Sequence, residues 1–496
     1  MEYGGDPLLV DETLERFRPE TVGMGDIVGI GITSGNCRRG YQIAAEAKRQ
    51  GATVVMGGIH TTIFPQEPLE MGADAVVTGS GEAIWPTVIG DAVDGRLKKI
   101  YGGGRLSGGQ MGAARWDLLD PSRYMFPTIQ TVAGCPENCS FCSVWVTEGR
   151  TPRMRLAENI IAEANELYRM GFRYIVFADD NFNPATLGRI EREPGAGKRK
   201  QFESVREERL RLFDEYDRGV PKNFYGLTQM TVEVLSDEEY LTAMRDKMRV
   251  RGAVIGVESF SEEGLDTVNK AWNPAGQKMV EAVQAIQEKG LFVLASIICG
   301  LESDTPQTIR TMRQFALDSG ALFAQFTMYN PLPGTKDYHE MVSDRKSFAT
   351  FGYQPRHRAQ LLADRFWLDN RTPLDLVRLP KLSRAEWATE TMACWRQFYS
   401  VKETLQRLRT GAGRNWPLAG KITYFFASLV FRRVYAGNGL SADAENRTRR
   451  GVLTRMMIRA GVAVYGYFFR QKRVAFRLDV VAAALRKAAG SSAVRS

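Results

Sequence analysis

The sequence predicts an α/β protein in three parts: a short open parallel sheet, an incomplete barrel of six βα units, and a helical, basic end. Three observations predict it. Apolar runs of strand length alternate with helical stretches from residue 25 onward, the rhythm restarts with longer units near residue 126, and strands stop past about 345. The domain boundaries expected from this are 1–104, 105–345 and 346–496.

In the first part, "GDIVGIGI" (25–32) is a strand and "RRGYQIAAEAKRQG" (38–51) a helix, followed by strands "ATVVMGG" (52–58) and "DAVVTGSGE" (74–82). Each strand runs into glycine, as in open parallel sheets whose ligands sit at the carboxyl ends of strands. Only three strands are clear, so this is a shortened doubly wound domain. It has no G-x-G-x-x-G opening a helix, and a dinucleotide site is not expected.

In the second part the expected strands are 126–134, 173–182, 224–230, 252–259, 291–300 and 321–330, with helices such as 155–171 and 276–290 between them. Six βα units in a row predict a (β/α)6 partial TIM barrel with its chemistry on the carboxyl-end loops. The charged insert 192–219 reads as a loop and a solvated helix outside the barrel. In the third part, 382–409 reads as helical, and 421–433 and 455–473 mix aromatics with Arg and Lys. The uncharged run Ile422–Phe431 is too short to cross a bilayer.

Composition bounds the function. The chain has 496 residues, 44% hydrophobic and 25% charged, which excludes disorder and leaves room for several cores. The opening residues have neither a basic nor an apolar signal region, and six irregularly spaced cysteines read as thiols kept reduced, so a cytoplasmic protein is expected. Residues 401–496 carry 19 Lys and Arg against 4 Asp and Glu, a net +15. Since the whole chain is +9, residues 1–400 carry −6. A basic end on a mildly acidic body predicts a polyanionic partner or the inner membrane face, and "YFFASLVF" is too apolar for a groove that tracks phosphates, which counts against nucleic acid.

The densest signal is "TVAGCPENCSFCSVW", which spaces Cys135, Cys139 and Cys142 as C-x3-C-x2-C. Three thiols in eight residues fit neither disulfides nor a closed zinc site with a nearby fourth ligand; a zinc or ferredoxin-like site would need distant Cys299 or Cys394. Three cysteines do fit a cubane 4Fe–4S cluster with one iron left open. With Phe141 before Cys142 and the cluster after the first barrel strand, the stretch resembles the signature of the radical S-adenosylmethionine (SAM) superfamily.

That resemblance implies that SAM binds the open iron and is cleaved to a 5′-deoxyadenosyl radical, with an electron donor such as flavodoxin or ferredoxin. It places Asp179 and Asp180 near the SAM amino group, Glu258 near the ribose, and Gln229, Ser296, Tyr329 and Asn330 at later strand ends, the last two near the adenine. Adjacent carboxylates on a strand point to opposite faces, so at most one of the two aspartates faces the site.

The first domain, with "GGIHTTIFPQE" and "GADAVVTGSGE", looks like the cobalamin-binding domain that precedes the barrel in one branch of that superfamily. The resemblance places Ser34, Gly35, Gly57, Gly58, His60, Gly79 and Gly81 against cobalamin. The D-x-H-x-x-G motif that supplies a lower histidine ligand is absent, which fits cobalamin held without a protein ligand. The implied function is functionalisation of an unactivated carbon of an apolar or lipid-like substrate, by cobalamin-linked methylation or by carbon–carbon bond formation or cyclisation. Two alternatives stand beside it: an RNA-modifying enzyme of the methylthiotransferase kind, against which Cys37 stands alone in the first domain, and a non-catalytic metal or electron-transfer protein.

Overall fold

A computed structural model describes residues 7–124, 126–342, 360–361, 365–369, 373–410, 413–414 and 416–438. The helix expected over 455–473 and the last residues lie outside them.

The first sheet has four parallel strands in chain order: β1 (Ile27–Gly31), β2 (Thr53–Gly57), β3 (Ala75–Gly79) and β4 (Ile100–Gly104). The described strands are thus wound in one direction. β4 is one strand more than the sequence reading found, because "IYGGG" offers two side chains of strand type and three glycines. Two of those glycines are needed: a Cβ on Gly103 would collide with the Ser80 carbonyl, and Gly104 lies at φ +65°. Helix Cys37–Arg49 buries Cys37, Gly40, Tyr41, Ala44 and Ala47, a 3–4 spacing that lays one stripe on the sheet.

The barrel sheet is also parallel and open. In chain order it comprises β5 (Thr128–Ile129), β8 (Tyr174–Phe177), β9 (Tyr225–Met230), β10 (Val250–Glu258), β11 (Phe292–Cys299) and β12 (Phe323–Met328), each hydrogen-bonded to the next. Between β5 and β8, β6 (Val132–Ala133) and β7 (Arg153–Met154) form an antiparallel pair. The cysteine loop is therefore the connection of a small hairpin. β5 is shorter than the expected 126–134 because the amides of Thr131 and Val132 bond to the Asp179 carboxylate, at 2.5 and 3.0 Å, instead of to β8.

The charged insert is not outside the barrel. Helix Ala196–Gly219 buries Phe202, Val205, Arg209, Leu212, Phe213 and Tyr216 along one face. Its exposed charges mask that 3–4 pattern in composition, and its place between β8 and β9 makes it the crossover of that unit.

The region 382–409 is two helices, Arg384–Phe398 and Val401–Thr410, followed by Leu418–Asn438. They cover the open edge. Trp395 Nε1 donates to Phe326 O (2.9 Å), Tyr424 OH to Leu322 O (2.6 Å), and Tyr399 OH exchanges hydrogen bonds with both Ala324 O and Ala324 N (2.7 and 3.0 Å). Side chains thus supply what a seventh strand would have supplied to β12. Among the described residues no helix is long and apolar enough to cross a membrane.

The carboxyl edge of the first sheet meets the carboxyl end of the barrel. Arg105, just past β4, donates to Thr147 O and Val146 O (2.8 and 2.9 Å), and Phe64 lies 6.2 Å from the Tyr338 ring. Gly334, at φ +80°, leaves room for Ile63, whose Cγ2 would stand 2.5 Å from a Cβ there.

Candidate functional site

The cysteine loop is clamped from four sides. Cys135 N donates to Gly149 O (3.1 Å), Ser140 N to Val268 O (3.1 Å), and Asp337 N to Ser140 O (3.2 Å). Trp145 Nε1 donates to Cys139 O (2.9 Å), Arg150 donates twice to Pro136 O, and Asn269 Nδ2 donates to Asn138 O (3.0 Å). Gly134 opens the loop at φ +88°, where a Cβ would meet Thr151 O at 2.8 Å. Cys139 is buried, and Cys135 and Cys142 are half-buried. Burial pushes all three thiols up, Cys139 to about 12, against the opposing pull of the Lys270 ammonium.

A single zinc draws thiolate sulfurs to within about 3.8 Å of one another, whereas a cube presents a different iron to each. Among the described residues the one triad of ligand atoms gathered within 4.8 Å is Cys37, His60 and Glu67, and the three loop cysteines are not drawn so close. Nor do Cys299 and Cys394 approach as a fourth ligand. They are buried against each other, and that contact raises the Cys299 thiol well above its ordinary value. The loop fits a multi-iron cluster better than a single ion.

The two aspartates, two and three residues past the end of β8, divide between two tasks. Asp179 is fully buried and holds the hairpin: its carboxylate accepts from the Thr131 amide and hydroxyl and from the Val132 amide, with Arg209 at 3.7 Å. Asp180 is the one beside the cysteine loop. It accepts from Gly134 N (2.7 Å), and burial raises its carboxyl to about 6. Gln229 donates to Asp179 O (2.7 Å) and so braces the end of β8 from β9.

Glu258 ends β10 in the left-handed region, φ +60°, after a register shift against β11. A non-glycine residue held there stores strain and is concentrated at functional sites. The Glu258 carboxylate meets Lys270 Nζ at 2.9 Å, and the same ammonium donates to Gly256 O at 2.8 Å. Lys270 is buried. Burial alone would lower its pKa, but Glu258 and the nearby Cys139 and Cys135 outweigh it and raise it. Sequence reasoning missed Lys270: "TVNKAW" has no motif spacing, and its one signal is a lone cation in an apolar context.

Of the remaining candidates, Ser296 accepts from Gln325 (2.8 Å), and Phe141 packs partly buried against the core. Tyr329 is buried with its hydroxyl on Asp337 (2.6 Å), so its side chain turns inward. Asn330, past the end of β12, has a buried amide oxygen with no hydrogen-bond partner.

In the first domain, Gly57 ends β2, and Gly58 lies at φ +100°, where a Cβ would meet Ile32 O at 2.5 Å. Gly79 ends β3, while Gly35 and Gly81 have open space or only distant neighbours. This edge would let a flat ring system approach backbone. His60 does not face it. His60 is fully buried, with Nε2 donating to Glu67 Oε1 (3.0 Å) and Nδ1 accepting from Ser34 Oγ (2.9 Å). Glu67 also accepts from Tyr41 OH, Trp367 Nε1 and Arg365, so the close Cys37, His60 and Glu67 triad is a completed hydrogen-bond knot rather than an open metal site.

Comparison with known proteins agrees with this geometry. Residues 129–316 match the Radical SAM superfamily. An uncharacterised methyltransferase of Pyrococcus horikoshii is 29% identical over 364 residues, 68% of this chain and 72% of that protein. The bacteriochlorophyllide d C-8(2)-methyltransferase of Chlorobaculum tepidum is 26% identical over 67% of this chain and 71% of its own. Among solved structures, the radical SAM methyltransferase TsrM of Kitasatospora setae superposes with a TM-score of 0.54 at 16% identity, covering 77% of this chain and 78% of that one. Residues 129–316 thus carry a Radical SAM domain, and the fold is similar to that of a cobalamin-dependent radical SAM enzyme.

Proposed function

We propose that this protein is a cobalamin-linked radical SAM enzyme that functionalises an unactivated carbon of an apolar substrate, most plainly by methylation. The observation that carries the reading is the clamped hairpin loop that presents Cys135, Cys139 and Cys142 at the carboxyl end of the barrel, opposite the glycine-lined edge of the first sheet. When bound, the cluster with SAM supplies a radical able to take hydrogen from carbon, and cobalamin supplies a methyl group.

The chain's own residues do the rest. The three cysteines hold the cluster. Asp180 and Glu258 stand beside it as acceptors for an amino group and a ribose, while Asn330 offers its unpartnered amide oxygen to a base. Gln229 lies one residue from the end of β9, and Ser296 lies within β11. Gly35, Gly57, Gly58, Gly79 and Gly81 give a corrin close approach to backbone; Ser34 and His60 support that edge from below. The meeting of the two carboxyl edges keeps the radical chemistry away from water. The similar Chlorobaculum tepidum protein is named for a bacteriochlorophyllide substrate, which favours an apolar substrate here.

The reading extends to a one-electron donor such as flavodoxin or ferredoxin and to a peripheral membrane contact. Helix Leu418–Asn438 buries Tyr424 and Ser428 against the barrel, while Leu418, Ile422 and Phe426 are 73%, 40% and 51% exposed on its other face. Such a stripe in the basic end of the chain suits an anionic lipid surface.

The test is anaerobic reconstitution with iron and sulfide, then SAM and dithionite, with 5′-deoxyadenosine read by mass spectrometry. The wild type is expected to load about four irons per chain and make the nucleoside, and Cys139→Ala to make none. A loaded wild-type cluster that yields none, with or without an apolar tetrapyrrole, would sink the reading.

A further inference from the structure

Lys270 and Glu258 form a buried ion pair that no feature of the cysteine motif predicts. Their place is set by the loop itself. Val268 O accepts from Ser140 N and the Asn269 side chain donates to Asn138 O, so the residues just before Lys270 grip both flanks of Cys139. Asn269 is held at φ +55° and Glu258 at φ +60°, so two strained residues fix where the pair lies. The pair is also isolated from water, with side chains 6% and 9% exposed. The Lys270 ammonium lies across the Trp272 ring at 5.4 Å and has no other carboxylate against it among the described residues.

We propose that Lys270 and Glu258 act as opposed charges that set the reduction potential of the cluster on Cys135, Cys139 and Cys142. The inference rests on the cluster reading above and adds a second role for Glu258 and a first one for Lys270. Reduction adds one negative charge to a buried site, where a nearby fixed charge is poorly screened. The ammonium stabilises that added charge and the carboxylate opposes it. Held together, they cancel in part, and the strained backbone keeps either from swinging away. Both are positioning residues in this role, acting through the cluster.

The experiment is a potentiometric titration of the reconstituted cluster, followed by electron paramagnetic resonance and run without SAM. Lys270→Met should lower the reduced-to-oxidised ratio about tenfold at a given potential, which for one electron is a 59 mV downward shift. Glu258→Gln leaves the ammonium uncompensated and should shift the ratio the other way. Lys270→Arg should stay close to wild type. Opposite signs are the diagnostic result, since a merely structural role would move both variants alike. A full iron and sulfide complement with unmoved potentials overturns the inference. So does loss of the cluster from both Lys270→Met and Glu258→Gln, which would make the pair a brace for the loop. A wild type that takes up no cluster overturns the function proposed above, and this inference with it.

Discussion

At the scale of single residues, Glu67 shows how a polar knot can secure a domain. Burial would raise its carboxyl, but hydrogen bonds from His60, Tyr41, Arg365 and Trp367 outweigh burial and hold it at about 2, below its ordinary value of 4.5. A carboxylate with a depressed folded pKa adds stability that is complete above pH 4.5 and is lost as the pH falls towards 2. At 1.36 kcal/mol per unit the contribution is about 3 kcal/mol. Glu67→Gln is therefore expected to cost about 1–3 kcal/mol at neutral pH and to flatten the dependence of stability on pH between about 5 and 2. Urea unfolding at a series of pH values checks this, and an unchanged slope would show that Glu67 is not the acid-labile tie. His60 stood out in the sequence for its loop, yet no pattern could show that its partner is seven residues on and that Arg365 and Trp367 close the knot from about 300 residues away.

At the scale of elements, helix Ala196–Gly219 ties the barrel to the site. Arg209 on its buried face donates to Thr131 Oγ1 (2.6 Å), Phe182 O (2.9 Å) and Tyr240 OH (3.0 Å), beside the Asp179 carboxylate. Arg209→Met would leave a fully buried carboxylate without its counter-charge, at a cost of about 3–5 kcal/mol. The expected result is a lower denaturation midpoint and poor cluster uptake, and a stability within 1 kcal/mol of wild type would refute the assignment. This helix also marks a limit of reading by composition. Its six buried positions were visible in principle at 3–4 spacing, but the run of Lys, Arg and Glu around them read as solvated. The long barrel strands were legible because apolar runs such as "GAVIGVE" and "FVLASIIC" have few other places to go. β4 was not, because glycine carries no side-chain pattern.

At the scale of the whole molecule, the order of the six barrel strands and the position of the cysteines were readable from the chain alone, since both depend on local pattern and on the right-handed βα rule. The closure of the sheet was not. It depends on Trp395 and Tyr399 reaching Phe326 and Ala324 of β12 and on Tyr424 reaching Leu322 just before it, a matter of distance in space. The same helical end presents Leu418, Ile422 and Phe426 outward. Vesicles rich in anionic lipid are expected to co-sediment the full chain, and Ile422→Ser with Phe426→Ser to weaken that at least threefold without changing cluster content. Equal partition of wild type and variant would mean that this face meets something other than lipid.

The clamp on the cysteine loop has a consequence for how the protein matures. The three thiols stand within eight residues and have local ties to Trp145, Gly149 and Arg150, yet the rest of the clamp comes from Val268 and Asn269 and from Asp337. A nascent chain that has just exposed its cysteines thus holds a loop only partly fixed. The shape arrives only when the sixth barrel unit has been made and packed, some two hundred residues later. Iron and sulfide delivered before that point meet a flexible thiol trio, open to any soft metal, and delivered afterwards meet a preformed cradle.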